Sequence, residues 1–167
     1  MTEPEVRQVY RGAIFRVEEL RWPGKSRDVV RALGATAALP LTTDGRVVLV
    51  RQLREAVGER MLEIPAGLHD APGEPPEDTA RRELSEETGY RAGSIERLGR
   101  IHTSPGFVDE VCELFIARGC EPAGEPEEGI EVVVTTLEDA VAKVEGGEIT
   151  DSKTVVALLL AARITRS

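Results

Sequence analysis

Glu83, Glu86 and Glu87 stand within five residues of one another, directly after Arg82 and some way beyond Glu74. The stretch from Pro76 to Thr88 reads as a short helix, because prolines are tolerated in a first turn and Gly89 stands where helices end in a left-handed residue. Glu86 lies three positions and Glu87 four positions after Glu83, so all three carboxylates leave roughly one helix face. Like charges so placed repel by roughly 2 to 3 kcal/mol per pair at about 6 Å and an effective dielectric of about 20. Full solvation would shrink that cost to well under ~1 kcal/mol. Oxygen ligands clustered in this way suit a hard divalent cation such as Mg²⁺, completed by water and phosphate oxygens. Arg82 can pair with Glu86 one turn on, or with Glu74 across the preceding loop, and so orient the cluster. An acidic chain also carries solvated glutamate faces that do nothing. A bare Glu-Glu pair would carry no weight; the spacing of the whole run does.

The elements that must position this helix read mainly as strands. Val6 to Trp22 alternates apolar and polar residues around Gly12, which predicts a small antiparallel meander. Pro23, Gly24 and Lys25 turn into a second extended segment near Arg27 to Ala32. ATAALPLT and RVVLVRQL read as paired strands joined at Asp44-Gly45. Glu59 to Gly67 reads as one strand leading towards the helix. IERLGRIH, VCELFIA and EVVVTT supply further strands, separated by the loops TSPGFVDE and EPAGEPEEG. Two helices close the chain: LEDAVAKVEGG, ended by glycines, and SKTVVALLLAARI, capped by Asp151 or Ser152.

Composition bounds the function. The 167 residues, 41% of them hydrophobic, suffice for one core, and residues 1–167 read as a single domain. A net charge of -9 argues against nucleic acid as a partner. A small anionic substrate fits, since bound metal and a few arginines can invert the local field. Cys112 and Cys120 lack metal-ligand spacing and are too few for a disulfide framework, which points to a reducing, cytoplasmic location. No signal core and no membrane span are read in the chain.

The run from Gly67 to Tyr90, GLHDAPGEPPEDTARRELSEETGY, resembles the Nudix box. Glu74, Arg82, Glu83, Leu84, Glu86, Glu87, Gly89 and Tyr90 fall in register with that pattern. Gly67 is six residues from Glu74 where the pattern has five, and the extra residue falls in a loop. The order of strands and helices resembles the Nudix α/β/α sandwich, an α/β (α+β) fold with a mixed sheet. Here it is preceded by the N-terminal antiparallel meander. LEIPAG, VRQLR, GEITDSKT and Pro105, fifteen residues after the box, resemble the ADP-ribose pyrophosphatase subfamily.

The resemblance implies hydrolysis of the diphosphate bond of a nucleoside diphosphate sugar, ADP-ribose giving AMP and ribose 5-phosphate. ADP-glucose, GDP-mannose or a non-catalytic ADP-ribose sensor are the alternatives. It implies Mg²⁺, with Mn²⁺ as a substitute, held by Glu83, Glu86, Glu87 and the Ala66 carbonyl. Arg51 and Arg54 are candidates for gripping phosphate or stacking on the base, and each is equally a candidate for a surface salt bridge. Glu63 is an acid in an apolar strand end, where it must pair or bind. Phe107 either lies on the substrate or packs, and Glu110 contacts the ribose or a metal. Glu128 is the favoured general base, with Glu86 as the other candidate and Arg82 as the orienting cation. His69 is expected in solvent, and His102 is expected to pack or hydrogen-bond at a strand end. The resemblance also implies a homodimer: residues 1–33 carry Tyr10, Ile14, Phe15 and Trp22, which a meander cannot bury alone, while residues 34–167 form the catalytic core.

Overall fold

The computed structural model describes residues 2–165. Residues 2–33 hold three antiparallel strands, β1 (Glu5–Arg11), β2 (Phe15–Trp22) and β3 (Lys25–Ala32), in a sheet of their own. β4 (Ala35–Thr42) and β5 (Val47–Arg54) follow as the hairpin expected at Asp44-Gly45, where Gly45 takes a φ of 80°. Next come β6 (Glu59–Glu63), β7 (Ala66–Leu68), α1 (Pro76–Thr88), β8 (Tyr90–Arg91) and β9 (Ser94–His102). The chain ends in β10 (Val111–Pro122), β11 (Glu131–Thr135), α2 (Leu137–Glu145) and α3 (Ser152–Thr165).

The main sheet runs β11-β5-β4-β10-β8, with β6 on β5, β7 on β4 and β9 on β10. β10 lies parallel to β4 and the other pairings are antiparallel, so the sheet is mixed. Alternation along the central strands loads both faces. Ala37, Leu39 and Leu41 of β4 join Cys112, Leu114 and Ile116 of β10 under α2 and α3, against Ala140, Ala157, Leu158 and Ala161. Ala38, Phe115 and Ala117 face the other way, against Ala80 and Leu84 of α1. Helices on both faces make the expected α/β/α sandwich.

The stretch from Glu59 to Gly67 is not one strand. It pairs with β5 as far as Glu63, opposite Val50, and then changes partner, so that Ala66 lies opposite Ala37 of β4. Pro65 has no N–H to continue a ladder. The neighbouring groups are met elsewhere: Ile64 N donates to Thr154 Oγ1 at 2.9 Å, and Ala38 N donates to the Pro65 carbonyl at 3.0 Å. This crossing delivers Ala66 and Gly67 to α1.

In the N-terminal sheet Val6, Val9, Tyr10 and Ile14 are each about half exposed and Phe15 is 39% exposed. Trp22, one of the aromatics the meander was not expected to bury alone, is partly covered within it. It is half-buried, its indole N–H donates to the Thr2 carbonyl at 3.1 Å, and Lys25 Nζ lies 4.9 Å from its ring. The sheet meets the loop after β9 through β3: Val30 N donates to the Phe107 carbonyl at 2.7 Å, and Asp109 Oδ1 accepts from Ala32 N at 3.0 Å. No helix among the described residues is long and apolar enough to cross a membrane.

Gly89 closes α1 at φ 71°, and a Cβ there would stand 2.4 Å from the Gly124 carbonyl oxygen. Gly24 has a similar φ of 76° but open space around it. Gly89→Ala should therefore cost about 2 to 4 kcal/mol in urea unfolding, against about 1 kcal/mol for Gly24→Ala. Equal losses would show that the turn conformation alone sets the cost.

Candidate active site

The glutamate face is built by α1 lying across the Ala66-Gly67 crossing. Thr79 Oγ1 donates to Glu74 Oε2 at 2.8 Å, tying the first turn to the loop before it. The loop that carries the extra residue turns at Gly73, φ 82°, closed by Glu74 N on the Ala71 carbonyl at 3.2 Å. Gly67 is required because a Cβ there would fall 2.0 Å from Glu83 Cδ. The carboxylate of Glu83 thus rests directly on backbone.

Arg82 is the hub of the cluster. Its Nη1 lies 2.6 Å from Glu83 Oε1 and 3.0 Å from Glu86 Oε2, and its Nη2 lies 3.4 Å from Glu74 Oε2 and 3.8 Å from Asp70. Both pairings expected of Arg82, to Glu86 and to Glu74, are made. Glu74 is held below the usual carboxylate range by Thr79 and then Arg82. Glu83 goes the other way, because burial outweighs the pull of Arg82.

Glu87 is the most perturbed carboxyl. It is 7% exposed, and burial pushes it up to about 7 in spite of the hydrogen bonds it accepts. Those come from Ala66 N at 3.0 Å and Gln52 Nε2 at 3.4 Å.

The pleat of β5 separates the two arginines. Arg54 shares a face with Gln52 and grips buried Glu63 with both forks, Nε to Oε1 at 2.7 Å and Nη2 to Oε2 at 2.8 Å. Arg51 points the other way, 4.0 Å from Glu148. Glu63 is paired, as a buried acid must be. Burial raises it, but Arg54 and Lys153 together bring it below its ordinary value.

Phe107 is 55% exposed and lines a cavity of about 300 Å³ with Val29, Arg31, His102, Pro105 and Asp109. Glu110 is half-buried just before β10 begins. Glu128 is exposed in the loop before β11. That loop is pinned to the end of α1: Glu127 N donates to the Glu86 carbonyl at 2.9 Å, and Gly124 N donates to the Gly89 carbonyl at 3.0 Å.

Two histidine expectations change. His69 is not in solvent; its Nε2 is hydrogen-bonded to Thr36 Oγ1, and its backbone N–H donates to the Gly34 carbonyl at 2.8 Å. β7 carries it inward because Leu68 pairs with Ala35 of β4. His102 ends β9, but the residue is exposed. Sequence reasoning missed Gln52 and Lys153. Lys153 Nζ donates to Glu63 at 2.6 Å and to Asp151 at 2.7 Å.

Carboxylates with a backbone carbonyl are the donors a hard divalent cation takes, and the burial borne by Glu83 and Glu87 is what such a cation offsets. Among the described residues no three His, Cys, Asp or Glu side chains are already gathered as a cage. Glu83 and Glu86 clasp Arg82, which would have to release them.

A family model described as the NUDIX domain matches residues 30–157. The chain belongs to the Nudix hydrolase family. It is 39% identical, over 90% of its length and 86% of the relative's, to the ADP-ribose pyrophosphatase of Bacillus subtilis. It is 36% identical, over the same shares, to a methanol dehydrogenase activator of Bacillus methanolicus. A GDP-mannose pyrophosphatase of Citrobacter koseri is 38% identical over 77% of this chain and 72% of its own. A crystal structure of an ADP compounds hydrolase superposes with a TM-score of 0.81, covering 99% of this chain and 96% of that one at 22% identity, a likeness of fold. Nudix hydrolases generally use divalent metal ions, and the clustered acids of α1 belong to the matched region.

Because Glu87 is raised in the fold to about 7 from 4.5, the native state binds its proton more tightly than the unfolded chain does. Its contribution is nil below its unfolded value, becomes destabilising as pH rises towards the folded value, and levels off above it. Glu87→Gln in metal-free buffer should raise unfolding free energy at pH 8 by about 2 to 3 kcal/mol and leave it nearly unchanged at pH 4. A uniform offset across pH would refute the burial assignment.

Proposed function

We propose that this Nudix chain hydrolyses the diphosphate bond of a nucleoside diphosphate sugar with Mg²⁺, ADP-ribose being the favoured substrate and AMP with ribose 5-phosphate the products. The observation that carries the reading is the row Glu83, Glu86 and Glu87 held over Gly67 and threaded by Arg82. The relatives' names support the substrate class.

Glu83, Glu86, Glu87 and the Ala66 carbonyl would hold the cation. When bound it neutralises diphosphate charge and lowers the pKa of water. Arg54, fixed by Glu63 on the face shared with Gln52, meets the diphosphate. Arg51 lies off that face and is better placed for the rim. Phe107 and Glu110 face the sugar or base. Glu128 takes the proton of the attacking water, and the contact between Glu127 and the Glu86 carbonyl supports its position. Glu86 is the other candidate, being exposed on the same cluster. GDP-mannose is the second reading, favoured by the Citrobacter relative; it keeps the diphosphate chemistry and changes both base and sugar.

Residues 34–167 form the catalytic unit in this reading, and residues 1–33 a dimerisation sheet. The exposed Val6, Val9, Tyr10, Ile14 and Phe15 support a homodimer. The two buried free thiols fit a reducing cytoplasm.

Purified protein should release AMP and ribose 5-phosphate from ADP-ribose with Mg²⁺, more slowly from ADP-glucose and GDP-mannose, and not with the metal chelated. Glu83→Gln and Glu87→Gln should each cut kcat at least roughly a hundredfold. Glu128→Gln should cut it roughly tenfold or more with metal affinity unchanged. Full activity in both metal-ligand variants would overturn the assignment. Light scattering at micromolar protein should give twice the chain mass, and a monomer would refute the dimer.

A further inference from the structure

Four charged side chains from the paired strands β5 and β6 and from the start of α3 meet at one point. Glu63 accepts Arg54 on both oxygens and Lys153 Nζ on Oε2, and Lys153 also reaches Asp151 Oδ1 at 2.7 Å. The other oxygen of Asp151 caps α3, accepting from Thr154 N at 2.9 Å and Thr154 Oγ1 at 2.6 Å. Two cations and two anions cancel. Side-chain exposure grades outward: 1% for Glu63, 14% for Asp151, 16% for Lys153 and 37% for Arg54. Arg54 is therefore the member that meets solvent. It uses Nε and Nη2 on Glu63, which leaves its Nη1 edge for an incoming anion.

We propose that Lys153 and Asp151 are positioning residues that set affinity for the substrate diphosphate, acting through Glu63 and Arg54 without touching it. This rests on the reading that the diphosphate lies beside the box glutamates. Lys153 neutralises Glu63 from below, so the Arg54 guanidinium is held in place but not electrostatically spent. Without Lys153 the same carboxylates leave a net negative charge under the substrate. Without the Asp151 charge the group becomes net positive. The low dielectric around buried ions makes both changes felt at the surface. The opposite signs separate this role from plain scaffolding, which predicts lost stability for either change and no opposed effects on binding.

Two near-isosteric variants test it. Lys153→Met keeps the aliphatic stem, and Asp151→Asn keeps a good helix cap. Wild type is assayed first for ADP-ribose hydrolysis and, by calorimetry in metal-free buffer, for ADP-ribose binding. If it does neither, the functional reading fails and takes this inference with it. If wild type is active, Lys153→Met should raise KM and Kd roughly fivefold or more, while Asp151→Asn lowers both by roughly two- to fivefold. In both, kcat should stay within roughly twofold, high salt should shrink the shifts, and Lys153→Arg should restore the wild-type KM. Shifts of the same sign, or none, in folded variants overturn the proposal. Should Lys153→Met not fold, Asp151→Asn decides alone: a lowered KM supports the assignment, and an unchanged or raised one refutes it.

Discussion

A carboxylate crowded among other carboxylates and half out of water is the constraint on which the rest of this structure depends. Glu83 and Glu87 sit one turn apart on the buried flank of α1, and both are pushed towards protonation by burial. Each uncompensated charge of this kind costs several kcal/mol. The fold spends structure on containing that cost. Arg82 places one guanidinium among Glu74, Glu83 and Glu86, Ala66 lends its N–H to Glu87, and Gly67 gives up its side chain so that Glu83 can approach.

The sandwich makes such containment feasible. α1 buries Ala80 and Leu84 against Ala38, Phe115 and Ala117, which fixes the helix rotation and so aims the glutamates at the Ala66-Gly67 crossing. On the opposite face α2 and α3 cover the larger apolar cluster. The change of partner at Pro65 is the junction between these jobs. On one side of it Glu63 and Ile64 are held from α3, and on the other Ala66 and Gly67 meet α1. A chain of net charge -9 can thus gather acids on one partly buried helix flank, because Arg82, Gln52 and the Ala66 N–H partner them there.

How much of this was legible beforehand depends on the range of the interaction. α1 runs from Pro76 to Thr88 as read, since proline, glycine and periodicity are local signals. The pairings of Arg82 follow from helical spacing and a short loop. The break in the strand at Pro65 was missed, although a proline with no N–H was a signal for it. His69 was misplaced because its inward turn depends on β4, more than thirty residues away, through Thr36 and Gly34. Lys153 was missed for the same reason: its partner Glu63 is ninety residues distant, and the GEITDSKT segment shows locally only a helix cap. Strand parity was enough to place Arg51 and Arg54 on opposite faces, but which face meets the box depends on the sheet.

The N-terminal sheet follows from the same physics of buried charge. Glu18 is 9% exposed between Arg16 and Arg31, with Nε contacts of 2.7 and 2.8 Å, and Arg31 reaches on to Asp109 at 3.2 Å. Asp109 also accepts the backbone of Ala32, so a side chain from the loop after β9 completes the ladder end of β3. Pro105, Phe107 and Glu110 ride on that loop. Their placement is therefore governed from outside the main sheet, by strands whose own apolar face is largely uncovered. Asp109 thus ties that loop to β3 twice, through the Arg31 guanidinium on one carboxylate oxygen and the Ala32 N–H on the other.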